Sequence, residues 1–306
     1  MTRMNRRSFI KTSFGAFCSL TTLPVLSCRS YLPVRFGLIT DLHYAKQSHS
    51  DNRYYSQSKQ KLLDAVQVFN KSNLDFIIEL GDFKDQDDQP DKRLRTITYL
   101  DEIENVMRLF HGPVYHVLGN HDMDSISKQD FLTHTKNHGT AEGKNYYSFV
   151  YNRLKFIVLD ANYNEDGSDY NAGNFSWTKA HIPASQAHWL NAELSDSNCP
   201  VIVFVHQLLD RFSGMDVPYI INADEIVDIL EKSKRVLAVF QGHLHEGNYS
   251  FRKGIHYFTM KAAVAGSLPE NNCFATVEID SALDMHVKGF VNCEDQCLKY
   301  SGDTLR

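Results

Sequence analysis

The chain has 306 residues, 42% of them hydrophobic, and a formal net charge of −5. This globular composition allows one large domain or two small ones. The slightly acidic balance gives no support for a nucleic-acid-binding surface, and no apolar run after the N-terminal region approaches the roughly 20 residues that span a bilayer.

The first 28 residues differ from the rest of the chain, because a basic start is followed by a mildly apolar stretch at residues 14–26. This pattern predicts an export signal that is not part of the fold. Residues 5–11 resemble a twin-arginine signal, and residues 25–28 resemble a bacterial lipobox in which Cys28 is acylated. We therefore expect a bacterial protein that is periplasmic or anchored to the membrane by lipid. The alternative is a basic tail on a cytosolic protein.

Three apolar runs in the first half of the chain are separated by two patterns of helical periodicity. The runs at residues 34–40, 76–80 and 113–118 predict buried strands. The helical patterns cover residues 58–71 and 97–110. This β-α-β-α-β order predicts parallel strands joined by right-handed crossovers.

The second half continues this pattern less regularly. Residues 146–151 and 154–159 predict a hairpin, and residues 161–182 predict a long loop of the kind that is often functional. No repeat or linker divides the chain, so residues 29–306 are predicted to form one domain. The remaining predicted elements are helices around 187–194 and 226–230 and strands at 201–205, 236–240, 255–260, 273–279 and 285–291.

Five of the predicted strands end in side chains that can bind metal. In open α/β sheets ligands bind beyond the carboxyl ends of the strands, so these groups are expected to meet at one edge. Imidazole, carboxylate and amide oxygen together suit iron, manganese or zinc, and not calcium. Each group alone has a simpler explanation, such as a core histidine, a helix cap or a solvated loop. The five groups are Asp41 with His43, Asp82, Asn120 with His121, His206, and His243 with His245.

The order of these groups resembles the pattern of the calcineurin-like metallophosphoesterases: Asp-x-His, Gly-Asp, Gly-Asn-His-Asp, a lone His, and Gly-His-x-His. The resemblance implies an α/β/β/α sandwich of four layers with two metal ions. It also implies that His121 lies near the leaving group and that Asp122 orients it. The implied ligands are Asp41, His43, Asp82 and His245 for one ion, and Asp82, Asn120, His206 and His243 for the other, with Asp82 shared.

A narrower resemblance is to the manganese-dependent ADP-ribose/CDP-alcohol diphosphatases. It rests on residues 53–55, on the loop near residues 171–173 and on the sequence at residues 242–250. Those proteins typically carry glutamine where this chain has His43, so the substrate class stays open. Exported members of the wider family also include phosphomonoesterases and phosphodiesterases.

The resulting hypothesis is a hydrolase of phosphodiester or diphosphate bonds in small molecules, including those of the nucleoside-diphosphate type. Two metal ions would hold a bridging hydroxide that attacks phosphorus, and His121 would act as the general acid. The alternatives are a broad phosphomonoesterase and a catalytically silent metal-binding protein. Aromatic residues in the candidate loops that are able to stack on a flat substrate group are Tyr54, Tyr55, Tyr163, Phe175 and Trp177.

Four cysteines remain outside the leader, and four cysteines allow three disulfide pairings. Cys293 and Cys297 are close enough in sequence to pair in an oxidising compartment. Free, partly buried thiols are the alternative. The sequence leaves the pairing and the oligomeric state open. The four residues are Cys199, Cys273, Cys293 and Cys297.

Overall fold

The computed structural model describes residues 31–305, so the predicted export signal and lipidation site lie outside the described residues. Two six-stranded sheets, formed within the described part of the chain, dominate the architecture. The strands in chain order are β1 (Val34–Ile39), β2 (Phe76–Glu79), β3 (Val114–His116), β4 (Tyr147–Tyr151), β5 (Leu154–Val158), β6 (Val201–Phe204), β7 (Val236–Gln241), β8 (Asn248–Arg252), β9 (Ile255–Thr259), β10 (Phe274–Ile279), β11 (Met285–Phe290) and β12 (Gln296–Leu298).

Helices connect most of the neighbouring parallel strands in the two sheets; the exception is β7 and β9, which are joined through β8. The predicted helix at 58–71 is observed as α1, and the pattern at 97–110 belongs to a helix that starts earlier, α2. The chain also forms short 3₁₀ turns, one of which starts at His121. The α-helices among residues 31–305 are α1 (Ser58–Phe69), α2 (Lys92–Met107), α3 (Lys128–His134), α4 (Ala184–Ser195) and α5 (Ala223–Ser233).

The first sheet has the strand order β12-β11-β10-β1-β2-β3, and the second has the order β4-β5-β6-β7-β9-β8. Strands β1, β2 and β3 are parallel, with Phe36 opposite Phe76 and Ile77 opposite Val114. Strands β5, β6 and β7 are also parallel to one another. The prediction of parallel strands with helical crossovers is confirmed for the first half of the chain.

The side-chain alternation along β5 and β6 shows how the layers stack. Phe156 and Ile202 face the core that lies between the two sheets, whereas Ile157 and Val203 face a second core that includes residues of α4 and α5. At the centre, the ring of Phe36 meets Phe156 edge-on at 6.1 Å between centroids, which joins the two sheets. Helices α1 and α2 contribute to the first core. This is the α/β/β/α arrangement that the family resemblance implied.

Three elements were not predicted, and each gives a weak signal in the sequence. Helix α3 has seven residues, too few for a clear period, and it is started by a capping box between Ser127 and Asp130. Strand β8 alternates exposed and half-buried residues at the edge of its sheet, so it lacks an apolar run. Strand β12 has three residues. Among the described residues, no helix is long and apolar enough to cross a bilayer.

Candidate metal centre

The candidate ligands lie where strands end, on backbone that turns sharply. Asp41, Asp82 and His243 have φ angles of 52°, 55° and 68°, in the left-handed region that is rare for residues other than glycine. Such backbone persists only when its surroundings hold it, and it clusters at functional sites. The turn after each strand aims the side chain back toward the end of the sheet.

Two glycines allow these turns to pack against one another. A Cβ atom on Gly119 would lie 2.1 Å from the backbone nitrogen of Asp82, and one on Gly81 would lie 2.6 Å from Nδ1 of His206. Any side chain at either position would push apart the strand ends that carry the candidate ligands. The Gly-Asp and Gly-Asn-His motifs therefore include their glycines for close approach.

A first group of candidate ligands joins the ends of β1 and β7. Oδ1 of Asp41 lies 3.7 Å from Nε2 of His43 and 3.4 Å from Nε2 of His245. The two Nε2 atoms are 3.2 Å apart. Three ligand-type atoms at such distances can surround one cation.

A second group centres on Asp82, with His206 and His243. Oδ2 of Asp82 lies 3.2 Å from Nε2 of His206 and 3.5 Å from Nε2 of His43. Because His43 belongs to the first group, the carboxylate of Asp82 stands between the two groups. This is the position required of a carboxylate that bridges two ions.

Neighbouring groups fix the orientation of two of these imidazoles. Nδ1 of His206 donates a hydrogen bond to the carbonyl oxygen of Leu80 at 2.8 Å, so Nε2 is the nitrogen that faces Asp82. Nδ1 of His43 lies 3.2 Å from Oδ2 of Asp85. Histidine ligands are commonly held in this way, through the ring nitrogen that does not bind the metal.

Several buried polar atoms at the centre make no hydrogen bond to any described residue. These are Oδ1 of Asp41, Oδ1 of Asn120 and Nε2 of His206. Buried polar atoms normally have partners, and three orphaned atoms of ligand type in one place fit bound cations. The donor set of imidazole, carboxylate and amide oxygen suits divalent transition metals, so the residues present fit the two ions that the resemblance implies.

The electrostatics of the cluster favour a positive partner for its carboxylates. Burial by itself would raise the pKa of Asp82, but neighbouring imidazoles, His206 foremost, bring it below its ordinary value. Burial opposes the charge on His206, yet the carboxylates of Asp82 and Asp41 raise its pKa to about 10. At His243, burial and the charge of His206 lower the pKa to about 3, which leaves the neutral imidazole that a metal ligand requires.

The expected partnership of His121 and Asp122 needs correction. Both oxygens of Asp122 accept hydrogen bonds from backbone N–H groups, including those of Gly119 at 2.8 Å and Phe83 at 2.9 Å. The carboxylate that faces His121 is that of Asp85, with 3.4 Å between Oδ2 and Nδ1. Asp122 therefore ties the loop after β3 to the loop after β2, and the carboxylate beside the imidazole of His121 belongs to Asp85. The prediction missed Asp85, although it stands three positions after Asp82.

A cavity of about 390 Å³ opens over the centre. Its wall includes Arg53 and Trp177, together with candidate ligands and His121. Of the five aromatic residues considered from the sequence, Trp177 lines this cavity. The others have different environments: Tyr54 stacks on His49, Phe175 stacks on Tyr170, and Tyr55 and Tyr163 are buried.

The chain matches the family model described as calcineurin-like phosphoesterase over residues 34–247. It is 29% identical over 286 residues to the manganese-dependent ADP-ribose/CDP-alcohol diphosphatase of Oryza sativa subsp. japonica, covering 80% of this chain and 87% of that protein. The protein of the same name from Arabidopsis thaliana is 29% identical over 271 residues, covering 75% of this chain and 86% of that protein.

Among solved structures, the fold is similar to a dimetal phosphatase from Danio rerio, with a TM-score of 0.74 and 22% identity over 88% of this chain and 99% of that one. The arrangement of two sheets and their flanking helices is thus shared with a known phosphatase. Together with the family model, which spans most of the described residues, this shows that the chain belongs to the calcineurin-like phosphoesterase family.

Proposed function

We propose that the protein is a diphosphatase that uses two divalent transition-metal ions, manganese foremost, to hydrolyse the bond between two phosphates in a nucleoside-diphosphate-type small molecule. The observation that carries the metal-dependent hydrolysis is the position of Asp82, whose Oδ2 atom lies 3.5 Å from His43 and 3.2 Å from His206. One carboxylate thus joins two groups of ligand atoms, which is the requirement for a dinuclear centre. The diphosphate preference rests on the activity named for the relatives.

Seven side chains would hold the ions. When bound, two divalent ions neutralise phosphate oxygens and lower the pKa of a water molecule, so that it becomes a nucleophile at neutral pH. Asn120 is the one amide of the ligand set: it lines the cavity, and its buried Oδ1 makes no hydrogen bond within the described structure. The proposed ligands are Asp41, His43, Asp82 and His245 for one ion, and Asp82, Asn120, His206 and His243 for the other.

In this proposal His121 protonates the departing oxygen. Its side chain is 28% exposed at the wall of the cavity, whereas the neighbouring Asp82 is buried. The backbone N–H of His121 donates to Oδ1 of Asp82 at 2.8 Å, which fixes the residue beside the centre. Asp85 faces Nδ1, so Nε2 is the nitrogen left to meet a substrate.

Two further residues of the cavity fit a substrate larger than a simple phosphate. Arg53 brings a guanidinium to the wall, where it can hold the oxygens of a phosphate that does not react. Trp177 presents an exposed indole, 6.1 Å from the ring of His243, on which a nucleobase can stack. The guanidinium of Arg53 and the indole of Trp177 together favour a nucleoside diphosphate over a small phosphomonoester as substrate.

A substrate panel on the manganese-loaded protein tests this proposal. We expect kcat/KM for ADP-ribose or a CDP-alcohol to exceed that for a phosphomonoester such as AMP by at least tenfold. The reverse preference would support the phosphomonoesterase alternative instead. A protein that holds two ions and hydrolyses neither class would support the silent metal-binding alternative.

The role of Trp177 has a matched control in Phe251, which is 47% exposed on β8, whereas Trp177 is 55% exposed. Stacking of one base is worth about 1–3 kcal/mol, so Trp177→Ala should raise KM for ADP-ribose roughly tenfold. An alkyl diphosphate without a base should be hydrolysed at the same rate by this variant and by the parent protein. Phe251→Ala should change neither. Equal effects of both variants on ADP-ribose would exclude stacking at Trp177.

We also propose that the protein is exported from a bacterial cell, on the basis of the paired arginines and the apolar stretch that follows them. Changing Arg6 and Arg7 to lysine should retain the protein in the cytosol, whereas Arg3→Lys should not. Cys28→Ala should release the exported protein from membranes. Normal export of the paired variant would contradict the signal, and unchanged fractionation of Cys28→Ala would contradict the lipid anchor.

A further inference from the structure

Cys273 and Cys293 lie close to each other, although twenty positions of the chain separate them. Cys273 lies directly before β10, and Cys293 follows the end of β11. The register of these antiparallel strands pairs Phe274 with Phe290, so the two ends lie side by side. The rings of Phe274 and Phe290 stack at 4.9 Å between centroids.

Hydrogen bonds also join the two segments on the other side of the cysteines, at residues 271–272 and 292. The backbone N–H of Asn272 donates to Oδ1 of Asn292 at 3.0 Å, and the side-chain nitrogen of Asn292 lies 3.4 Å from Oδ1 of Asn271. The turn itself is closed by a hydrogen bond from the N–H of Cys293 to the carbonyl of Phe290 at 3.0 Å. Contacts on both sides therefore keep the two cysteines next to each other, and such proximity is what a disulfide requires.

The remaining cysteines of the described chain have other neighbours. Cys297 is exposed on β12, where it pairs with His286 and its Sγ lies 3.7 Å from Nδ1 of that residue. Cys199 precedes β6 in the second sheet. All four cysteines of the described residues are free thiols, as the alternative from the sequence had it, and strand register places Cys293 near Cys273.

The two thiols differ in access and in reactivity. Cys293 lines a surface cavity of about 220 Å³ together with Lys261, whereas Cys273 is 1% exposed. The hydrogen bond from Cys273 and the charge of Lys261 lower the pKa of Cys293, although burial acts in the opposite direction. The same hydrogen bond and burial raise the pKa of Cys273. Cys293 is therefore the thiol that meets an oxidant first.

We propose that Cys273 and Cys293 are a site of covalent modification, at which a small-molecule disulfide or a disulfide oxidoreductase introduces an intramolecular disulfide. With glutathione disulfide, the Cys293 thiolate attacks one sulfur, forms a mixed disulfide and releases one glutathione thiolate. The thiol of Cys273 then loses its proton and attacks Sγ of Cys293, which releases the second glutathione. The protein loses two electrons and two protons, and one glutathione disulfide becomes two molecules of glutathione.

The bond would close a loop that contains the whole β10–β11 hairpin. Cross-linking a loop of this size restricts the unfolded chain, and it typically stabilises a protein by an amount that corresponds to a rise in Tm of roughly 5–10 °C. Lys261 borders the same cavity as Cys293, and the next residue, Ala262, donates its backbone N–H to the carbonyl of His245, a candidate ligand, at 3.0 Å.

Peptide mapping of the folded full-length chain tests the proposal without reference to its cellular location. The protein is oxidised with glutathione disulfide, its remaining thiols are alkylated, and it is digested with trypsin without reduction. Cleavage after Lys261, Lys288 and Lys299 places Cys273 in peptide 262–288 and both Cys293 and Cys297 in peptide 289–299. We expect these two peptides to be linked. A bond between Cys293 and Cys297 would leave them separate and would overturn the proposal.

Two matched variants assign the partner within peptide 289–299. The linkage should persist in Cys297→Ser and disappear in Cys293→Ser, and the opposite result would overturn the assignment. Oxidation should raise Tm of the parent protein and of Cys297→Ser by roughly 5–10 °C, and it should leave Tm of Cys293→Ser unchanged. A linked protein with a lowered Tm would mean that the native fold does not accommodate the bond, and the proposal would then fail.

Discussion

The carboxylate of Asp85 faces the imidazole of His121, with 3.4 Å between Oδ2 and Nδ1. The same oxygen lies 3.2 Å from Nδ1 of His43, a proposed metal ligand. Burial would raise the pKa of Asp85, but the nearby imidazoles, that of His121 foremost, hold that pKa well below its usual value. One ionised carboxylate therefore orients the proposed proton donor and a ligand of the metal centre together.

His121→Ala should lower activity by about 10²–10⁴-fold while both metal ions are retained, since general acid catalysis typically contributes that much. The loss should be smaller for a substrate with an acidic leaving group such as nitrophenol, because that group departs without a proton. Steady-state rates on good and poor leaving groups, with metal content measured in parallel, check this. An equal loss on both would instead assign His121 to phosphate binding.

Asp85→Asn should weaken both functions of the carboxylate. Loss of a residue that orients a metal-binding histidine typically lowers metal affinity or activity by about 10–100-fold, and we expect that range here. At saturating manganese, kcat for a substrate with a poor leaving group should stay low, because His121 still lacks the carboxylate that faces it. Titration with manganese separates the two effects. Full recovery of kcat at high manganese would limit Asp85 to its contact with His43.

Asp122→Asn should act mainly on stability. The carboxylate accepts hydrogen bonds from the backbone N–H groups of Asp82, Phe83 and Gly119 at 2.8–3.1 Å, and an amide cannot accept all of them. Leaving buried donors unpaired should lower the free energy of unfolding by roughly 2–4 kcal/mol. Denaturant titrations of Asp122→Asn and Asp85→Asn measure how far each substitution lowers the free energy of unfolding. If Asp85→Asn loses more stability than Asp122→Asn does, then Asp122 is not the carboxylate that acts mainly on stability.

Asp85 and Asp122 also show what the sequence can and cannot predict. Each metal-binding motif is short and lies at a strand end, so the run of apolar residues before Asp41 or Asp82 is enough to predict where that motif lies in the fold. The partner of His121 is a matter of local backbone geometry instead. The 3₁₀ turn that starts at His121 directs the next side chain, that of Asp122, back toward the loop of Gly119. Adjacency in the chain therefore predicted the wrong carboxylate.

The same reasoning applies to the fold. Parallel strands such as β2 are buried and apolar, which makes them visible as runs in the sequence. Strand β8 pairs with β9 at the edge of a sheet. Because its exposed residues alternate with half-buried ones, its sequence resembles that of a loop. The proximity of Cys273 and Cys293 depends on the register of two strands, which residue spacing does not reveal.

Asp82→Asn should weaken both metal sites together, because its carboxylate stands between the two ligand groups. Asn120→Ala should chiefly weaken one site, since this residue belongs to a single proposed ligand set. Elemental analysis after manganese loading and gel filtration should give two ions per chain for the parent protein, close to one for Asn120→Ala and fewer for Asp82→Asn. One ion or none in the parent protein would contradict the dinuclear centre.

Stability should also depend on pH through His116, a buried residue of β3 that lies between two carboxylates. Its Nε2 atom lies 3.0 Å from Oε2 of Glu104, and its Nδ1 atom lies 3.5 Å from Oε2 of Glu79. Burial would lower the pKa of His116, but these carboxylates raise it to about 10. Burial raises the pKa of Glu79 to about 8, with Asp122 acting in the same direction.

The raised pKa values of His116 and Glu79 affect stability in the same direction: the stabilisation from each is lost as the pH rises. Between pH 6.5 and 10 the folded protein keeps a proton on His116 that the unfolded chain releases, so this stabilisation is complete below pH 6.5 and is lost as the pH rises through about 10. Glu79 likewise retains a proton in the folded state between its ordinary pKa of 4.5 and about 8. The free energy of unfolding should therefore fall from pH 7 to 9, with each such proton contributing up to about 1.4 kcal/mol per pH unit.

His116→Gln should make this fall shallower, because it removes one of the groups that titrate in this range. The matched control is His286→Gln: His286 also faces a carboxylate, that of Asp280 at 3.2 Å, but its side chain is 49% exposed and solvent screens the pair. Denaturant titrations at pH 7, 8 and 9 and one manganese concentration compare the three proteins. The control should keep the slope of the parent protein. If His116→Gln keeps it as well, the buried imidazole does not carry the charge that its two carboxylates favour.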